Sequence, residues 1–321
     1  MPPFGQTHDR TNDAPANSTT SDNHAISQQQ WDSMAEHSKL SGQNKPTSQD
    51  NQTQLSFDHD IYASKDAGKN PKVIFTKDQK EKAFLWGPNG ESPTNSINPD
   101  AVHQGELGDC YFMSSLASLA KSNPQSIQNM IKDNGNNTYT VTFPGDPDHP
   151  VNIDKPSQEE ISKYGHGDSE HGNWVSVIEK AHRKYTGRDT SDEGDDPINA
   201  IKLLTKQGSG TVDDKLTGYV FGVGRTSEDN VAKDLKNATQ DNRVIVASSG
   251  RDDKPATFLG ANNEPENVVA NHAYSVVGFD EKTNTVKLRN PWGSDGARNS
   301  TFDMSLDEFY NTFNDLQFTT N

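Results

Sequence analysis

Apolar residues recur at helical spacing through the first half of this chain. The segment CYFMSSLASLA, which begins at Cys110, places its bulky apolar side chains on one helical face, and Pro124 ends that pattern. The segment WVSVIEKAHRKYTG has a similar spacing and ends at Gly187, a residue type that favours a helix C-terminus. PINAIKLLTKQG follows, with Pro197 in its first turn. These patterns predict three helices, the first of which starts at Cys110.

The second half shows a different pattern, in which short runs of β-branched and aromatic residues alternate with polar ones. TGYVFGV, RVIVAS, HAYSVVGF and TVKLRN each predict a strand. EDNVAKDLKNA, between the first two runs, predicts one amphipathic helix. The chain is therefore predicted to be α+β, with an α-rich part followed by a β-rich part.

The first 60 residues are crowded with Ser, Thr, Asn, Gln, Asp and Pro, and they carry too few apolar side chains to offset the entropy of ordering them. Residues 1–70 are therefore predicted to be a disordered polar leader. The functional alternative is an export signal or an inhibitory pro-segment. Apolar runs begin soon afterwards with KVIFT and KAFLWG. We predict an α-rich lobe over residues 71–215 and a β-rich lobe over residues 216–321.

Charge and composition exclude several classes of function. The chain has 30 Lys and Arg against 46 Asp and Glu, a formal net charge of −16, which argues against nucleic acid or an anionic lipid surface as the partner. No apolar run is long enough for a membrane span or for the core of a signal peptide. We expect a cytoplasmic protein, or an effector exported without a cleavable signal peptide. An acidic stretch at 189–196 lacks the residue order of a calcium-binding loop and is predicted to be a solvated loop.

A single cysteine excludes a disulfide framework and thiolate-rich metal sites, so Cys110 needs its own explanation. A thiol in the first turn of a helix lies at the positive end of the helix dipole, which predicts a lowered pKa and a nucleophile. Gln104, in the preceding QGELGD segment, carries a side-chain amide that would form a two-donor oxyanion hole with the backbone N–H of Cys110. Gly105 and Gly108 allow a tight turn between them. The alternative is a buried structural cysteine that packs as a small hydrophobe.

The segment NHAYSVVGFDEKTNTVKLRNPWG supplies a second set of polar residues. Two alternating strands flank the polar turn DEKTN, so antiparallel pairing predicts that His272 lies close to Asn290 and Trp292. The amide oxygen of Asn290 would then accept from one ring nitrogen of His272 and aim the other at a thiolate. Trp292 would shield that hydrogen bond from water. A histidine in a strand is otherwise a satisfied core or surface residue.

A cysteine at a helix start, a downstream histidine and then an asparagine form the order of the thiol proteases. Between about residues 80 and 295, the chain resembles the catalytic core of the calpains, family C2 of the papain-like cysteine peptidases, through QGELGDCYFMSSLASLA, WVSVIEKAHRKYTG and NHAYSVVGFDEKTNTVKLRNPWG. The resemblance implies a papain-like fold of two lobes with an active-site cleft between them. It implies that Cys110 is the nucleophile, His272 the general base and acid, Asn290 the orienting residue and Gln104 the oxyanion donor, with Trp292 and Gly108 shielding or binding substrate.

The chain departs from the calpain pattern in several places. Tyr111 stands where the family usually has Trp, a change that keeps an aromatic ring. The chain ends soon after the catalytic core, so we expect no accessory β-sandwich and no EF-hand domain. The family's core also binds calcium, and the resemblance makes Glu179 and Asp100 candidate calcium ligands. No cofactor is expected to be required, with Ca²⁺ as the one candidate.

The predicted function is that of a calpain-like cysteine endopeptidase that hydrolyses protein substrates. The sequence leaves the oligomeric state open, with a monomer favoured. One alternative is a papain-like deamidase or transglutaminase, because the same acyl-enzyme forms from a side-chain amide. Another alternative is a catalytically silent binding module, although all three residues of the predicted triad are present.

Overall fold

The computed structural model describes residues 84–87, 93–165, 171–188, 194–205, 227–250, 257–259, 265–293 and 300–320. The predicted leader 1–70, the predicted strand TGYVFGV and the predicted lobe boundary at 215/216 lie outside these residues. Of the acidic stretch, only its last part, from 194 onward, is described.

The first half is built mainly from helices, as the apolar spacing predicts. These helices are α1 (Pro93–Ser96), α2 (Cys110–Ser122), α3 (Pro124–Met130), α4 (Gln158–Lys163), α5 (Trp174–Thr186) and α6 (Pro197–Leu204), with a short 3-10 helix at Pro99–Ala101. All three predicted helices are confirmed, and α2 starts at Cys110 as expected. Gly187 ends α5 in the left-handed conformation with a φ of 69°, which suits glycine because it has no Cβ.

Three short strands also lie in this half, which the sequence did not predict. They are β1 (Ile131–Asp133), β2 (Thr138–Val141) and β3 (Val151–Asp154), joined as an antiparallel sheet in the order β1-β2-β3. Each strand has only three or four residues. Such runs are too short to establish the alternation by which a strand is recognised.

The second half contains an antiparallel sheet of five strands in the order β10-β4-β7-β8-β9, with a separate strand pair β5-β6. Its elements are α7 (Glu228–Gln240), β4 (Ile245–Ser249), β5 (Thr257–Leu259), β6 (Pro265–Asn267), β7 (Ala273–Asp280), β8 (Thr285–Arg289), β9 (Thr301–Ser305), α8 (Leu306–Thr312) and β10 (Phe313–Phe318). The predicted helix α7 and the predicted strands β4, β7 and β8 are confirmed.

The hairpin of β7 and β8 has the predicted register. Asp280 pairs with Thr285 and Ser275 pairs with Arg289, with one irregularity between Val276 and Gly278. This pairing brings the start of β7 beside the end of β8. The residues before β7 and after β8, which carry the predicted imidazole and amide, therefore meet at one end of the sheet.

The buried apolar residues form two hydrophobic clusters. One is formed mainly by α2, α3, α5, α6 and the three-stranded sheet, and the other by the five-stranded sheet with α7 and α8. Helix α2 faces the sheet with serines, which let the two backbones approach closely. Ser275 Oγ donates to Ser114 O at 2.7 Å, and the Ile245 N–H donates to Ser118 Oγ at 2.7 Å. These two bonds hold helix α2, which begins at Cys110, against β4 and β7. No helix within the described ranges is long and apolar enough to cross a membrane.

Candidate active site

Cys110 lies at the first position of α2 and is only 8% exposed. The backbone of Ala273, the residue after His272, lies within hydrogen-bonding reach of the thiol. The thiol of the helical half therefore sits directly against the start of β7 in the sheet. Cys110 therefore lies beside the strand that His272 immediately precedes.

His272 is held from both its backbone and its ring. Its backbone N–H donates to Ser249 Oγ at 3.1 Å, and its carbonyl accepts from the Ser249 N–H at 2.9 Å. Its Nε2 lies 2.9 Å from Asn290 Oδ1, so the amide oxygen accepts from the protonated nitrogen. The opposite nitrogen, Nδ1, is buried and has no hydrogen-bond partner. His272 is thus fixed in the tautomer that leaves Nδ1 able to accept a proton.

The turn after β8 supplies both the amide and an aromatic cover. Asn290 Oδ1 accepts a second hydrogen bond from the Trp292 N–H at 3.1 Å, which fixes the amide orientation. The Trp292 ring lies 4.7 Å from the His272 ring between centroids, tilted by 46°. The next residue, Gly293, has a φ of +83°, and a Cβ there would lie 2.1 Å from His103 Nδ1, so only glycine fits this turn. The predicted contacts of Asn290 and Trp292 with His272 are present.

Gln104 is fully buried and adjoins the same turn. Its backbone N–H donates to Pro291 O at 2.7 Å, and its side-chain Nε2 donates to Leu107 O at 2.7 Å. The amide nitrogen carries two hydrogens, so one remains for a ligand. Gly108 is buried in the turn between Gln104 and α2. Gln104 is therefore held by both its backbone and its side chain beside the residues that follow Asn290.

The electrostatics of Cys110 differ from the sequence-based expectation. Burial raises the pKa of the Cys110 thiol to about 12, helped by the neighbouring Asp109 charge and opposed by the hydrogen bond from Ala273. Burial likewise lowers the pKa of His272 to about 4, against the hydrogen bond from Asn290. The expected lowering of the thiol pKa is thus wrong for this state of the protein, because desolvation outweighs the helix dipole. Thiol and imidazole are both neutral at pH 7.

The two candidate calcium ligands contact different partners. Asp100, whose side chain is 76% exposed, lies 3.4 Å from Arg289 Nε. Glu179 is fully buried and accepts from the Gly165 N–H. Burial and the neighbouring Asp109 raise the pKa of Glu179 well above its ordinary value. Across the described residues, no three His, Cys, Asp or Glu side chains are gathered as a metal site.

Sequence reasoning missed Arg289, although its side chain is buried and touches the site. Strand alternation along TVKLR places Val286 and Leu288 in the core and therefore predicts that Arg289 faces solvent. Instead Arg289 is 1% exposed, and its Nη2 donates to Val102 O at 2.6 Å. One signal in the sequence could have identified Arg289, because it is a charged residue immediately before the asparagine of the predicted site.

The helix-rich first half and the antiparallel sheet of the second half form a papain-like α+β fold, with Cys110 at the start of α2 and the His272–Asn290 pair at one end of the sheet. The model of the calpain family cysteine proteases matches residues 89–308. The chain belongs to this family.

The curated relatives are distant calpains. Calpain-9 from Rattus norvegicus is 22% identical over 256 residues, which cover 73% of this chain and 35% of calpain-9. The calpain-type cysteine protease DEK1 from Zea mays is 27% identical over 223 residues, covering 67% of this chain and 10% of that protein. DEK1 from Arabidopsis thaliana is 29% identical over 238 residues, with the same coverage of 67% and 10%. This chain thus spans about a third of calpain-9 and a tenth of the plant proteins.

Proposed function

We propose that the protein is a cysteine endopeptidase in which Cys110, His272 and Asn290 act as the catalytic triad and Gln104 as the oxyanion donor. One observation carries the proposal. The ring of His272 is held by Asn290 at 2.9 Å, and its other nitrogen is buried without a partner beside the strand that contacts the thiol. A buried base without a hydrogen-bond partner costs free energy, and such groups cluster at functional sites. Proton transfer from Cys110 would give this nitrogen a role.

The reaction begins when the Cys110 proton moves to His272 Nδ1. The sulfur attacks the carbonyl carbon of a peptide bond and forms a tetrahedral intermediate. The negative oxygen is stabilised by the free Nε2 hydrogen of Gln104 and by the backbone N–H of Cys110. His272 then donates its proton to the leaving amine as the C–N bond breaks, which leaves a thioester.

Hydrolysis of the thioester completes the cycle. Water gives a proton to His272 as its oxygen attacks the carbonyl carbon, and the same oxyanion donors stabilise the second intermediate. When that intermediate breaks down, the C–S bond breaks and the proton returns from His272 to the Cys110 sulfur. Asn290 holds the ring in one orientation through both halves, while Trp292 covers one side of the ring and restricts access of water.

Cleavage of casein by the purified protein, followed by mass spectrometry, tests the proposal. New peptide termini are expected from the wild-type protein and none from Cys110→Ser, because an alcohol is a far weaker nucleophile than a thiol. His149→Ala is the matched control for His272→Ala, since the His149 side chain is 76% exposed and pairs with Asp146. Loss of cleavage in His272→Ala, with cleavage retained in His149→Ala, supports the assignment. Mass changes without new termini would mean that the protein modifies glutamine or asparagine side chains instead.

A further inference from the structure

Two hydrogen bonds join residues 102–104 to the end of β8 and the turn that follows it. Arg289 Nη2 donates to Val102 O at 2.6 Å, and the Gln104 N–H donates to Pro291 O at 2.7 Å. The donor of the first bond, Arg289, lies in β8, whereas the donor of the second bond is Gln104, so the two bonds run in opposite directions. Residues 102–104 are therefore fastened at both ends to residues 289–291, which flank Asn290.

Arg289 makes its part of this connection with the whole guanidinium group. Nη2 reaches Val102 O, Nε lies 3.4 Å from Asp100 Oδ1, and Nη1 lies 3.5 Å from Asn290 O. Only the bond to Val102 is short, so it is the principal contact. The guanidinium is almost fully buried, and burial lowers the pKa of Arg289 to about 10, so the group is still charged at pH 7.

A charge in the interior is expensive, and a residue that only packed at this position would be apolar. The geometry of Arg289 is that of a rigid fork that fixes a backbone carbonyl relative to its own strand. Lysine offers one nitrogen on a flexible chain and could keep only one of the three contacts at a time. The arrangement therefore depends on arginine itself as well as on its positive charge.

We propose that Arg289 is a positioning residue that keeps the oxyanion donor Gln104 in register with the His272–Asn290 pair, so that both act on the same carbonyl group. This inference rests on the proposed protease function. Arg289 touches neither the thiol nor the imidazole through any contact that the structure gives, and it acts through the backbone of Val102. Its loss should therefore affect stabilisation of the oxyanion rather than ionisation of the thiol.

The test compares Arg289→Met and Arg289→Lys with wild-type protein. Arg243 supplies matched controls, Arg243→Met and Arg243→Lys, because it is another largely buried arginine with a close contact, 2.6 Å to Asp241, outside the site. Thermal melts establish that each variant is folded. A misplacement of a catalytic group by about 1 Å costs about a hundredfold in rate, so we expect kcat on a fluorogenic peptide to fall by about tenfold to a hundredfold in Arg289→Met.

Two further measurements separate positioning from general damage. Alkylation of Cys110 by iodoacetamide forms no tetrahedral oxyanion, so its rate should stay within about twofold of wild type while kcat falls. KM should change little, and Arg289→Lys should recover only part of the loss. If alkylation falls in step with kcat, or if Arg289→Met turns over as fast as the Arg243 controls, the inference is overturned.

A readout without catalysis keeps the inference testable if the wild-type protein cleaves nothing. Hydrogen exchange at the Gln104 amide, which is bonded to Pro291 O, should be faster in Arg289→Met than in wild type, while the Ser249 amide, bonded to His272 O, stays protected. Inactive wild-type protein with this selective exchange would refute the protease function and support the coupling. Unchanged exchange at Gln104 would refute the coupling.

Discussion

Acid should destabilise this protein strongly, and His182 on α5 should account for a measurable share of the loss in the free energy of unfolding. The His182 ring is stacked on Phe112 of α2 at 3.8 Å between centroids, and its Nδ1 is buried without a hydrogen-bond partner. Burial first, and then the nearby Arg188 and Arg183, lower the pKa of His182 to about 3. The folded protein therefore keeps this imidazole neutral well below the pH at which an unfolded chain protonates it.

The sign and size follow from proton linkage. Between the unfolded pKa of about 6.5 and the folded pKa of about 3, the unfolded state binds more protons, so stability falls as pH falls through this window. A pH of 5 lies about 1.5 pH units below the pKa of an unfolded histidine. Protonation of the unfolded chain at His182 therefore lowers the free energy of unfolding by on the order of 2 kcal/mol. His272, with a folded pKa of about 4, adds a loss of similar size.

Urea unfolding at pH 7.5 and pH 5.0 measures this loss. His182→Leu should lose about 2 kcal/mol less than wild type between the two conditions, whatever its stability at pH 7.5. His149→Gln is the control, because the hydrogen bond to Asp146 raises the pKa of His149 and the residue is exposed, so it cannot produce a loss of this sign. If His182→Leu and wild type lose equal stability, His182 is not held neutral by burial and the argument fails.

Three further predictions concern the site. Asn290→Ala should lower kcat on a fluorogenic peptide by less than His272→Ala, for which a loss of about 10²-fold to 10⁴-fold is expected, because Asn290 only aims the ring that transfers the proton; equal losses would contradict these roles. His272→Ala should also slow alkylation of Cys110 at pH 7, since the thiol must then ionise without a base, and an unchanged rate would show that the proton does not pass to His272. Casein cleavage should be equal in calcium and in chelator, because Asp100 already contacts Arg289 and Glu179 already accepts from the Gly165 N–H, and activation by calcium would refute this.

The parts of the fold that local chemistry determines could be predicted from the sequence. Helix α2 begins at Cys110 and ends before Pro124, because its apolar spacing and the proline are both local signals. The turn DEKTN located the β7–β8 hairpin closely enough to predict the contact between His272 and Asn290, although the irregularity between Val276 and Gly278 shifts the pairing by one residue. The amide and the imidazole are separated by few residues on one hairpin, so no distant contact was needed.

Other elements depend on partners that are far away along the chain. Strand β10 (Phe313–Phe318) pairs with β4, and its position at the sheet edge follows from that pairing. Arg289 contradicts the alternation of its own strand, since the oxygen that it binds belongs to Val102 in the other half of the chain. No pattern within a strand specifies such a contact. Sequence reasoning therefore predicted the triad candidates and missed Arg289, whose buried guanidinium binds Val102 O.

The protonation state of the site shows most clearly why position along a helix is an incomplete guide to reactivity. The dipole of α2 favours a thiolate at Cys110, yet burial raises the thiol pKa to about 12 because an isolated anion there loses its water. The same burial lowers the pKa of His272 to about 4. Sending the Cys110 proton to solvent would leave one buried charge, whereas passing it to His272 creates two opposite charges that attract at low dielectric. In the proposed mechanism, Asn290 Oδ1 would accept from the new imidazolium and the Ala273 backbone would stabilise the new thiolate, so each charge of the pair has a partner of its own as well as the opposite charge.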